Sequence, residues 1–436
     1  MIAPARRRRL LRAAFVGGLV LCWASASTQP FVAAWRAARA PADFTHDYVR
    51  AALWLHQGRW GRFPLVDVPG GNAGATGLGA PPVPTVGAFY VHPPPALLPF
   101  VPLGALPYPT AVLIWQGVTV ALLGCLAWLL SPLAAEAGLS LPAPLLFALL
   151  LGWPPTLANI QVGQWSVILA VALAAGHRAW ERGDGRRAGL WWGLGAALKL
   201  TPLALLPPAL LRDRRAALGF VAALLALIVL ALPIAGVEGW QTFAAAAGPN
   251  AAGYQTWTHN SLSINGLIAR LFEGGAYARP LLVAPLLARA CKLAILLALG
   301  AVALRATLRA PRAREPEACM LSLWYVLVVV ANPLAWSHYA LLLLLPAGLA
   351  VRAATARHDG VAQTLAALGV MLISIPQATL DYAAEPLPAT PSAGLWLSLP
   401  LAGALLIFAS AARGARTARG RDGSAGSTSS RGVGSS

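Results

Sequence analysis

The chain has 436 residues, of which 58% are hydrophobic and only 11% are charged. Apolar runs of near-bilayer length recur from Leu10 to Ser410, which excludes an ordinary soluble protein and predicts helices solvated by lipid. The formal net charge of +18 would suggest a nucleic-acid partner in a soluble chain, but here the arginines lie mostly in short clusters between apolar runs and would fix a membrane orientation. We therefore predict an all-α polytopic membrane protein with no nucleic-acid partner.

The N-terminus combines a basic cluster, Arg6 to Arg9, with an apolar run. Secretory signal peptides share this pattern, but because many spans follow we interpret the run, about Leu10 to Thr28, as an uncleaved first helix. It would deliver residues 29–108 to the extracytoplasmic side. The richness in Ala, Arg and Gly suggests a high-GC bacterial source, so we expect a bacterial inner (plasma) membrane protein with cytoplasmic N- and C-termini.

The first extracytoplasmic loop, residues 29–108, opens with a polar stretch, ADFTHDYVRAALWLHQG at residues 42–58. On a helix from about residue 44 to 57 the apolar residues form one stripe, which predicts that this helix lies on the membrane surface. The stripe consists of Phe44, Tyr48, Ala51 and Leu55.

Two acidic residues, Asp43 and Asp47, lie at the start of this helix. Their commonest roles are structural: Asp43 would cap the helix, worth about 1 kcal/mol, and Asp47 would pair with Arg50 one turn later. A catalytic base is the alternative, and spacing alone favours the structural interpretation because caps are far commoner.

Three further spans are predicted at about residues 110–131, 142–158 and 163–180, ending at a cytoplasmic turn rich in arginine. The next apolar segment, AGLWWGLGAALKLTPLALLPPALL, has arginines at both of its ends. A single crossing would therefore violate the expected distribution of positive charge.

Lys199 and Pro202 divide this segment into halves of about 12 residues, each rising about 18 Å, enough for half a bilayer and return. We predict a re-entrant hairpin with Lys199 near its tip, where a lysine is tolerated only against protein or a wet cavity. The alternative is a kinked complete span, which would invert the topology of everything downstream.

The hairpin puts the later arginine clusters on the cytoplasmic side. Spans are then predicted at about residues 216–235, 281–304, 318–332, 336–351, 361–379 and 393–411, with an extracytoplasmic loop at 237–280. About ten transmembrane crossings result. Residues 1–412 would form one integral-membrane domain, and the Gly/Ser/Arg-rich residues 413–436 a disordered cytoplasmic tail.

With this topology, polar residues collect at the extracytoplasmic ends of the spans. They are Asp43, Asp47, His92, Gln164, Glu238, His259, Asn260, Asn265, Arg270, Asn332 and His338. A one-sided polar rim suits an enzyme that handles a lipid-borne substrate at the interface, whereas a transporter more typically binds its substrate near the midplane between repeated halves.

Seven motifs follow one another along the chain: DFTHDYVRAALWLHQGR, FYVHPPPALLPFVPLGALPY, NIQVGQWSVILAVAL, AGLWWGLGAALKLTPLALLPPALLRDRR, GVEGWQTF, HNSLSINGLIARL and ANPLAWSHYALLLLLP. In this order they resemble glycosyltransferase family 87, from residue 43 to about 346. The resemblance implies the GT-C fold with extracytoplasmic loop helices. It also implies transfer of a sugar, most often mannose, from a polyprenyl phosphate to a lipid or glycan acceptor at the extracytoplasmic face.

The same resemblance implies that Asp43, which matches the Asp of the family's Asp-Phe pattern before a Tyr, is the catalytic carboxylate. An acceptor hydroxyl must lose its proton as it attacks the anomeric carbon, so a carboxylate within hydrogen-bond reach can act as general base. The chain departs from the family at His92, where Tyr is commoner before the Pro pair, and at Asp47, which replaces an often aromatic residue.

The leaving phosphate needs cationic or donor groups, and Lys199, Arg270 and His338 are candidates. For Arg270 the alternative is an interfacial anchor that reaches the headgroups, and histidines at interfaces are commonly anchors too. The predicted donor-phosphate and substrate-binding residues are Lys199, Arg270, His338, Asn260, Gln164, His92 and Asp47.

No metal site is predicted, because the histidines are scattered and the extracytoplasmic acids are few. The four cysteines, Cys22, Cys125, Cys291 and Cys319, are interpreted as packing residues. We expect no cofactor beyond a polyprenyl-phosphate-linked sugar as donor substrate, and membrane lipid and a glycan or glycolipid acceptor as partners. Transfer of a different sugar, or a transporter or flippase of lipid-linked sugars, are the alternative functions.

Overall fold

A computed structural model describes residues 30–36, 39, 41–57, 92–139, 141–274, 279–384 and 391–417. The predicted first helix, about Leu10 to Thr28, lies outside these residues, as does Cys22. Every regular element in the described part is helical, which confirms the all-α prediction there.

In the described part of the chain, residues 30–36 are helical. Seventeen α-helices follow them. They are α1 (Ala42–Gln57), α2 (Phe100–Gly104), α3 (Tyr108–Glu136), α4 (Ala143–Leu151), α5 (Pro154–Val162), α6 (Ser166–Glu181), α7 (Gly185–Leu198), α8 (Leu206–Arg212), α9 (Arg214–Tyr254), α10 (Ile264–Phe272), α11 (Pro285–Arg309), α12 (Arg314–Val330), α13 (Leu344–Arg357), α14 (Gly360–Ile373), α15 (Gln377–Ala384), α16 (Pro391–Trp396) and α17 (Leu399–Thr417). Short 3-10 helices cover Pro94–Leu97, Thr201–Leu205 and Ser337–Leu343.

Four helical stretches of the described chain are long and apolar enough to cross a bilayer: α3, α9, α11 and Ser337–Arg357. A fifth candidate is the pair α4 and α5, which meet at a bend of 64°. These helices identify a membrane protein. The count of about ten crossings stays a prediction, because several helices placed at predicted spans, such as α6 with 16 residues, are shorter than a full span.

Helix α9 continues well beyond its predicted end. The predicted loop at 237–280 is helical up to Tyr254 and again over α10, with the only non-helical backbone of α9 at Gly236, where φ is +57°. Alanine-rich sequence favours the helical conformation, and residues 244–247 are four consecutive alanines. Gly236 therefore acts as a joint between two helical parts, since glycine adopts positive φ without steric cost.

The chain reverses direction at Lys199. Helix α7 ends at Leu198, Lys199 is extended, and a 3-10 turn that contains Pro202 leads into α8. The Asp213 carboxylate, at the end of α8, contacts Gly185, at the start of α7. The two ends of the segment thus meet, and its re-entrant position in a membrane stays a prediction.

Helices α7 and α9 approach closely through glycine. A Cβ atom at Gly193 would collide with the backbone carbonyl of Phe220, and one at Gly189 with the carbonyl of Ala216. Small residues at four-residue spacing permit such backbone contact between membrane helices. This packing fixes the hairpin against the rest of the bundle.

We expect Gly193→Ala to destabilise the fold by about 1–3 kcal/mol, because the new methyl group meets fixed backbone rather than a side chain that can move. The matched control is Gly300→Ala in α11, where a Cβ atom would meet nothing within 4 Å, and which we expect to be neutral or stabilising by up to about 1 kcal/mol. Thermal unfolding of both variants in detergent is the measurement. Equal midpoints would contradict the close packing of α7 on α9.

One end of the bundle is held by ion pairs among α3, α6, α12 and α13. Arg314 bonds Glu136 at 2.8 Å and Glu181 at 3.2 Å, and Arg352 bonds Glu181 at 2.6 Å and Glu136 at 3.1 Å. We call these four residues the charge cluster. The two arginines were predicted to lie on the cytoplasmic side, and the structure brings all four residues to the same end of the bundle.

Two smaller predictions differ in detail. Helix α17 runs to Thr417, past the predicted start of the tail at residue 413, and Arg413 bonds Asp359 at 2.7 Å. The cysteines Cys125, Cys291 and Cys319 are free, and Cys319 alone of the three is buried.

Candidate functional site

A cavity of about 520 Å³ lies between α1, the Lys199 turn, the second part of α9 and the segment that follows α12. Its polar lining includes Asp43, His46, Gln164, Lys199, Asn332 and His338. The charge cluster lies at the opposite ends of α6 and α12, whose 15 or more residues rise at least about 22 Å. The cavity therefore gathers polar residues that the sequence predicted at the extracytoplasmic ends of spans.

Helix α1 holds Asp43 against the protein rather than on a membrane surface. Phe44 and Tyr48 are fully buried, and Phe44 packs against the rings of Phe100, Tyr108 and Trp115. The predicted surface stripe is thus an internal contact, except for Leu55, which is 39% exposed. The aromatic residues that cover this stripe belong to α2 and α3. They are distant from α1 in the chain and meet it only in the folded protein.

Gly163 allows α1 to come this close. It ends α5 with φ +72°, and a Cβ atom there would lie 2.6 Å from Cβ of Phe44. Trp115 donates its indole N–H to the Gly163 carbonyl at 3.1 Å. The next residue, Gln164, is therefore placed beside Asp43.

Gln164 joins Asp43 to Lys199. Its amide N–H donates to the Asp43 carboxylate, and its Oε1 accepts from Nζ of Lys199 at 3.0 Å. The backbone N–H of Trp165 also reaches Oε1 at 3.3 Å. Because a lysine can only donate and an ionised carboxylate can only accept, these contacts fix which way the amide points.

Lys199 is 8% exposed, and no carboxylate of the described chain lies within 4.0 Å of its Nζ. Besides Gln164, its contact is the ring of Tyr339, whose centroid lies 4.6 Å from Nζ. A cation in this setting is stabilised only in part. An anionic ligand in the cavity would complete its coordination.

Asp47 and His92 form a buried pair next to the cavity rather than in its lining. Nδ1 of His92 lies 2.9 Å from Oδ2 of Asp47, and the Trp165 indole donates to the same oxygen at 3.3 Å. The expected partner Arg50 is farther, at 3.8 Å. Burial would raise the pKa of the Asp47 carboxyl, but the charge and hydrogen bond of His92 outweigh it and hold this pKa below its usual value.

His338 lines the cavity and is bound on one side only. Its Nδ1 lies 2.8 Å from the Ser166 hydroxyl, whereas its buried Nε2 has no hydrogen-bond partner in the described chain. Nε2 of His92 is also buried without a partner there. Buried polar atoms of this kind usually find a ligand or water.

Arg270 does not line the cavity. It is fully buried, donates to the carbonyl of Asn260 at 3.1 Å and bonds the Ser398 hydroxyl at 2.7 Å. Burial lowers the pKa of Arg270 to about 10. Its contacts hold α10 against α16 and the start of α17, and its predicted role at the phosphate has no geometric support here.

Asn260 acts at a distance from the cavity. Its Oδ1 accepts from the backbone N–H of Ala335 at 2.8 Å, and its Nδ2 donates to the carbonyls of Gln255 and Pro333. The segment that it holds includes Asn332, Leu334 and Trp336, which line the cavity. Asn260 is thus a positioning residue for one wall.

Sequence reasoning missed several lining residues. His46 lines the cavity one turn from Asp43, and burial lowers its pKa although Asp43 and Asp47 oppose that shift. The aromatic residues Tyr254, Trp257, Trp336 and Tyr339 also line it. His46 had a signal in the sequence, since it lies within the polar stretch of residues 42–58, and Trp336 and Tyr339 lie within the motif ANPLAWSHYALLLLLP.

Apart from Thr201, the remaining side chains of the lining are largely apolar. Phe243, Ala247 and Ala251 from α9 face Leu327 and Val328 from α12. The cavity thus combines a polar end, with a carboxylate and an ammonium linked by one amide, and a hydrocarbon-like end. Such a site suits an amphipathic anionic substrate.

Comparison with known proteins agrees with the resemblance seen in the sequence. The family model described as glycosyltransferase family 87 matches residues 90–333, more than half of the 436 residues. The match includes His92, Gln164 and Lys199, while Asp43 precedes it and His338 follows it. No curated protein and no solved structure matches the chain.

Proposed function

The chain belongs to glycosyltransferase family 87 and is a membrane glycosyltransferase, and on that premise we propose that it transfers a sugar, most simply mannose, from a polyprenyl-phosphate donor to a lipid or glycan acceptor. The reaction takes place at the extracytoplasmic face of the inner membrane. The observation that carries the proposal is the link from Asp43 through Gln164 to Lys199 at the polar end of an otherwise apolar cavity.

Asp43 acts as the general base. The acceptor hydroxyl gives its proton to the Asp43 carboxylate while its oxygen attacks the anomeric carbon of the donor sugar. The bond between that carbon and the phosphate oxygen breaks, and its electron pair leaves with the lipid phosphate. A single displacement of this kind inverts the anomeric carbon.

Lys199 stabilises the leaving phosphate. A buried ammonium without a carboxylate partner interacts strongly with charge that develops nearby, because the surrounding apolar wall screens it poorly. The unpaired Nε2 of His338 faces a sugar or acceptor hydroxyl. The apolar wall from α9 and α12 receives the first isoprene units of the donor.

Sugar transfer in proteoliposomes tests this function. We expect wild-type protein to incorporate label from polyprenyl-phosphate mannose into a lipid extract. A flippase would move the donor across the bilayer without forming a labelled product, and a donor of another sugar that labels the extract instead would replace mannose in the proposal.

Ala251→Trp is expected to raise the donor KM by at least about tenfold, because the indole would fill the apolar end of the cavity where the lipid binds, with a cost of the size seen for overpacking. The matched control is Ala252→Trp on the same helix, since Ala252 is exposed and does not line the cavity. If both variants keep the wild-type KM, the lipid does not bind at this wall.

A further inference from the structure

A second concave site lies near the charge cluster, far from the sugar-transfer cavity. It encloses about 120 Å³ between α3 and α6 and is lined by Trp128, Leu129, Ser131, Pro132, Arg178 and Arg182. Its volume corresponds to a few water molecules at about 30 Å³ each. A phosphate group fits within such a space.

Pro132 shapes the α3 side of this site. Proline has no N–H, so the carbonyl of Trp128, four residues earlier, lacks its helical hydrogen bond. The Ser131 hydroxyl donates to that carbonyl at 3.3 Å. The helix surface opens here and the Trp128 ring turns outward, with 63% of the residue exposed.

The two arginines have no acidic partner among the residues that the structure describes. Neither the Arg178 nor the Arg182 guanidinium pairs with a carboxylate of the described chain, although Glu136 and Glu181 lie on the same two helices. Those carboxylates bind Arg314 and Arg352 instead. The site is therefore lined by two positive charges that form no direct ion pair with the described residues.

This combination matches the headgroup region of a bilayer. Guanidinium groups bind phosphate oxygens through paired N–H donors, and an exposed tryptophan with apolar neighbours is typical of the membrane interface. The arginines belong to the turn that the distribution of positive charge predicts to be cytoplasmic, where anionic lipids attract basic residues.

We propose that Arg178 and Arg182 bind the phosphate of an anionic membrane lipid, with the Trp128 ring and Leu129 against its upper acyl chains. The site is separate from the sugar-transfer cavity and does not depend on the proposed reaction. It takes a phosphodiester headgroup that carries net negative charge in preference to a zwitterionic one.

Native mass spectrometry of the full-length chain in neutral detergent tests this site. We expect phosphatidylglycerol to bind about 25-fold more tightly than phosphatidylcholine, about five-fold for each arginine, and Arg178→Gln with Arg182→Gln to remove that preference. The matched control is Arg305→Gln with Arg309→Gln, which removes the same charge from exposed positions on α11. Thermal midpoints establish that both double variants are folded.

Three results would overturn the proposal. The Arg178 and Arg182 variant could keep the wild-type preference for phosphatidylglycerol. The α11 control could instead lose that preference equally, which would indicate a diffuse charge effect. Inorganic phosphate at millimolar concentration could displace phosphatidylglycerol completely, which would identify a free-phosphate site instead. Retained preference in the control together with weak competition by phosphate supports a lipid site.

Discussion

Asp43→Asn is expected to lower sugar transfer by at least about 100-fold, the smaller end of the range for loss of a general base. Donor affinity should stay close to that of the wild type, because asparagine keeps the shape of the side chain and an oxygen that accepts from Gln164. Turnover and donor binding are measured separately, by labelled product in proteoliposomes and by donor titration in detergent.

Glu238→Gln is the matched control for this change. It also converts a carboxylate to an amide, but Glu238 is exposed on α9 and does not line the cavity. Wild-type turnover is expected for it. If Asp43→Asn retains more than about a tenth of the activity, then Asp43 is not the base, and His46 becomes the nearest titratable group of the lining to examine.

Lys199→Met is expected to lower turnover by about 100-fold, because it removes the cation that faces the leaving phosphate while keeping the length of the side chain. Gln164→Leu leaves that cation in place and removes only the bridge to Asp43. We expect its cost to be smaller, about tenfold, equivalent to one hydrogen bond to a charged group. Single-turnover rates with saturating donor give both values.

The double variant Lys199→Met with Gln164→Leu distinguishes two roles for Lys199, stabilising the phosphate and orienting Gln164. If Lys199 acts on the phosphate, the losses of Lys199→Met and Gln164→Leu differ, and the double variant is worse than either. Equal losses that do not add would mean that Lys199 serves only to orient Gln164 and Asp43. Lys199→Arg should recover part of the activity in the first case, since it restores the positive charge.

The distribution of arginine along the chain allowed part of the topology to be predicted from the sequence. Arginines at both ends of the segment around Lys199 argued against a simple crossing. The structure brings Gly185 and Asp213 together, and the re-entrant position of the segment in a membrane stays a prediction. The same rule assigned Arg314 and Arg352 of the charge cluster to one side, and the structure places them at one end of the bundle. Predictions of this kind use only chain order and span length, both of which the sequence contains.

Contacts between segments that are distant in the chain could not be predicted from the sequence. The stripe of α1 was interpreted as a membrane-facing surface because the aromatic residues that cover it are distant in the chain. Phe100, the nearest of them, lies 45 residues after Leu55, the last member of the stripe. For Arg270 the signal was its charge alone, and a guanidinium that bonds Ser398 looks no different in sequence from one that binds a ligand. The aromatic lining likewise combines residues of α9 with residues that follow α12.

The recognition of the family came from motif order, and the match over residues 90–333 confirms it. Asp43 lies outside that match, so its assignment as the base depends on its contacts in the structure more than on its sequence motif. Gln164 lies inside the match and contacts Asp43 directly. The link between them therefore connects a residue assigned by resemblance to one within the matched part of the chain.

The joint at Gly236 has a mechanical consequence. The charge cluster clamps α3, α6, α12 and α13 at one end, so these helices cannot separate there without breaking ion pairs. Beyond Gly236, α9 contributes Phe243, Ala247, Ala251 and Tyr254 to the cavity, while its buried residues Phe243 and Ala246 form a cluster separate from the main core. A change of backbone angle at this one glycine would move the wall without breaking the ion pairs at the clamped end. For the polyprenyl donor proposed above, such a movement would open a lateral path from the bilayer in place of a closed pore.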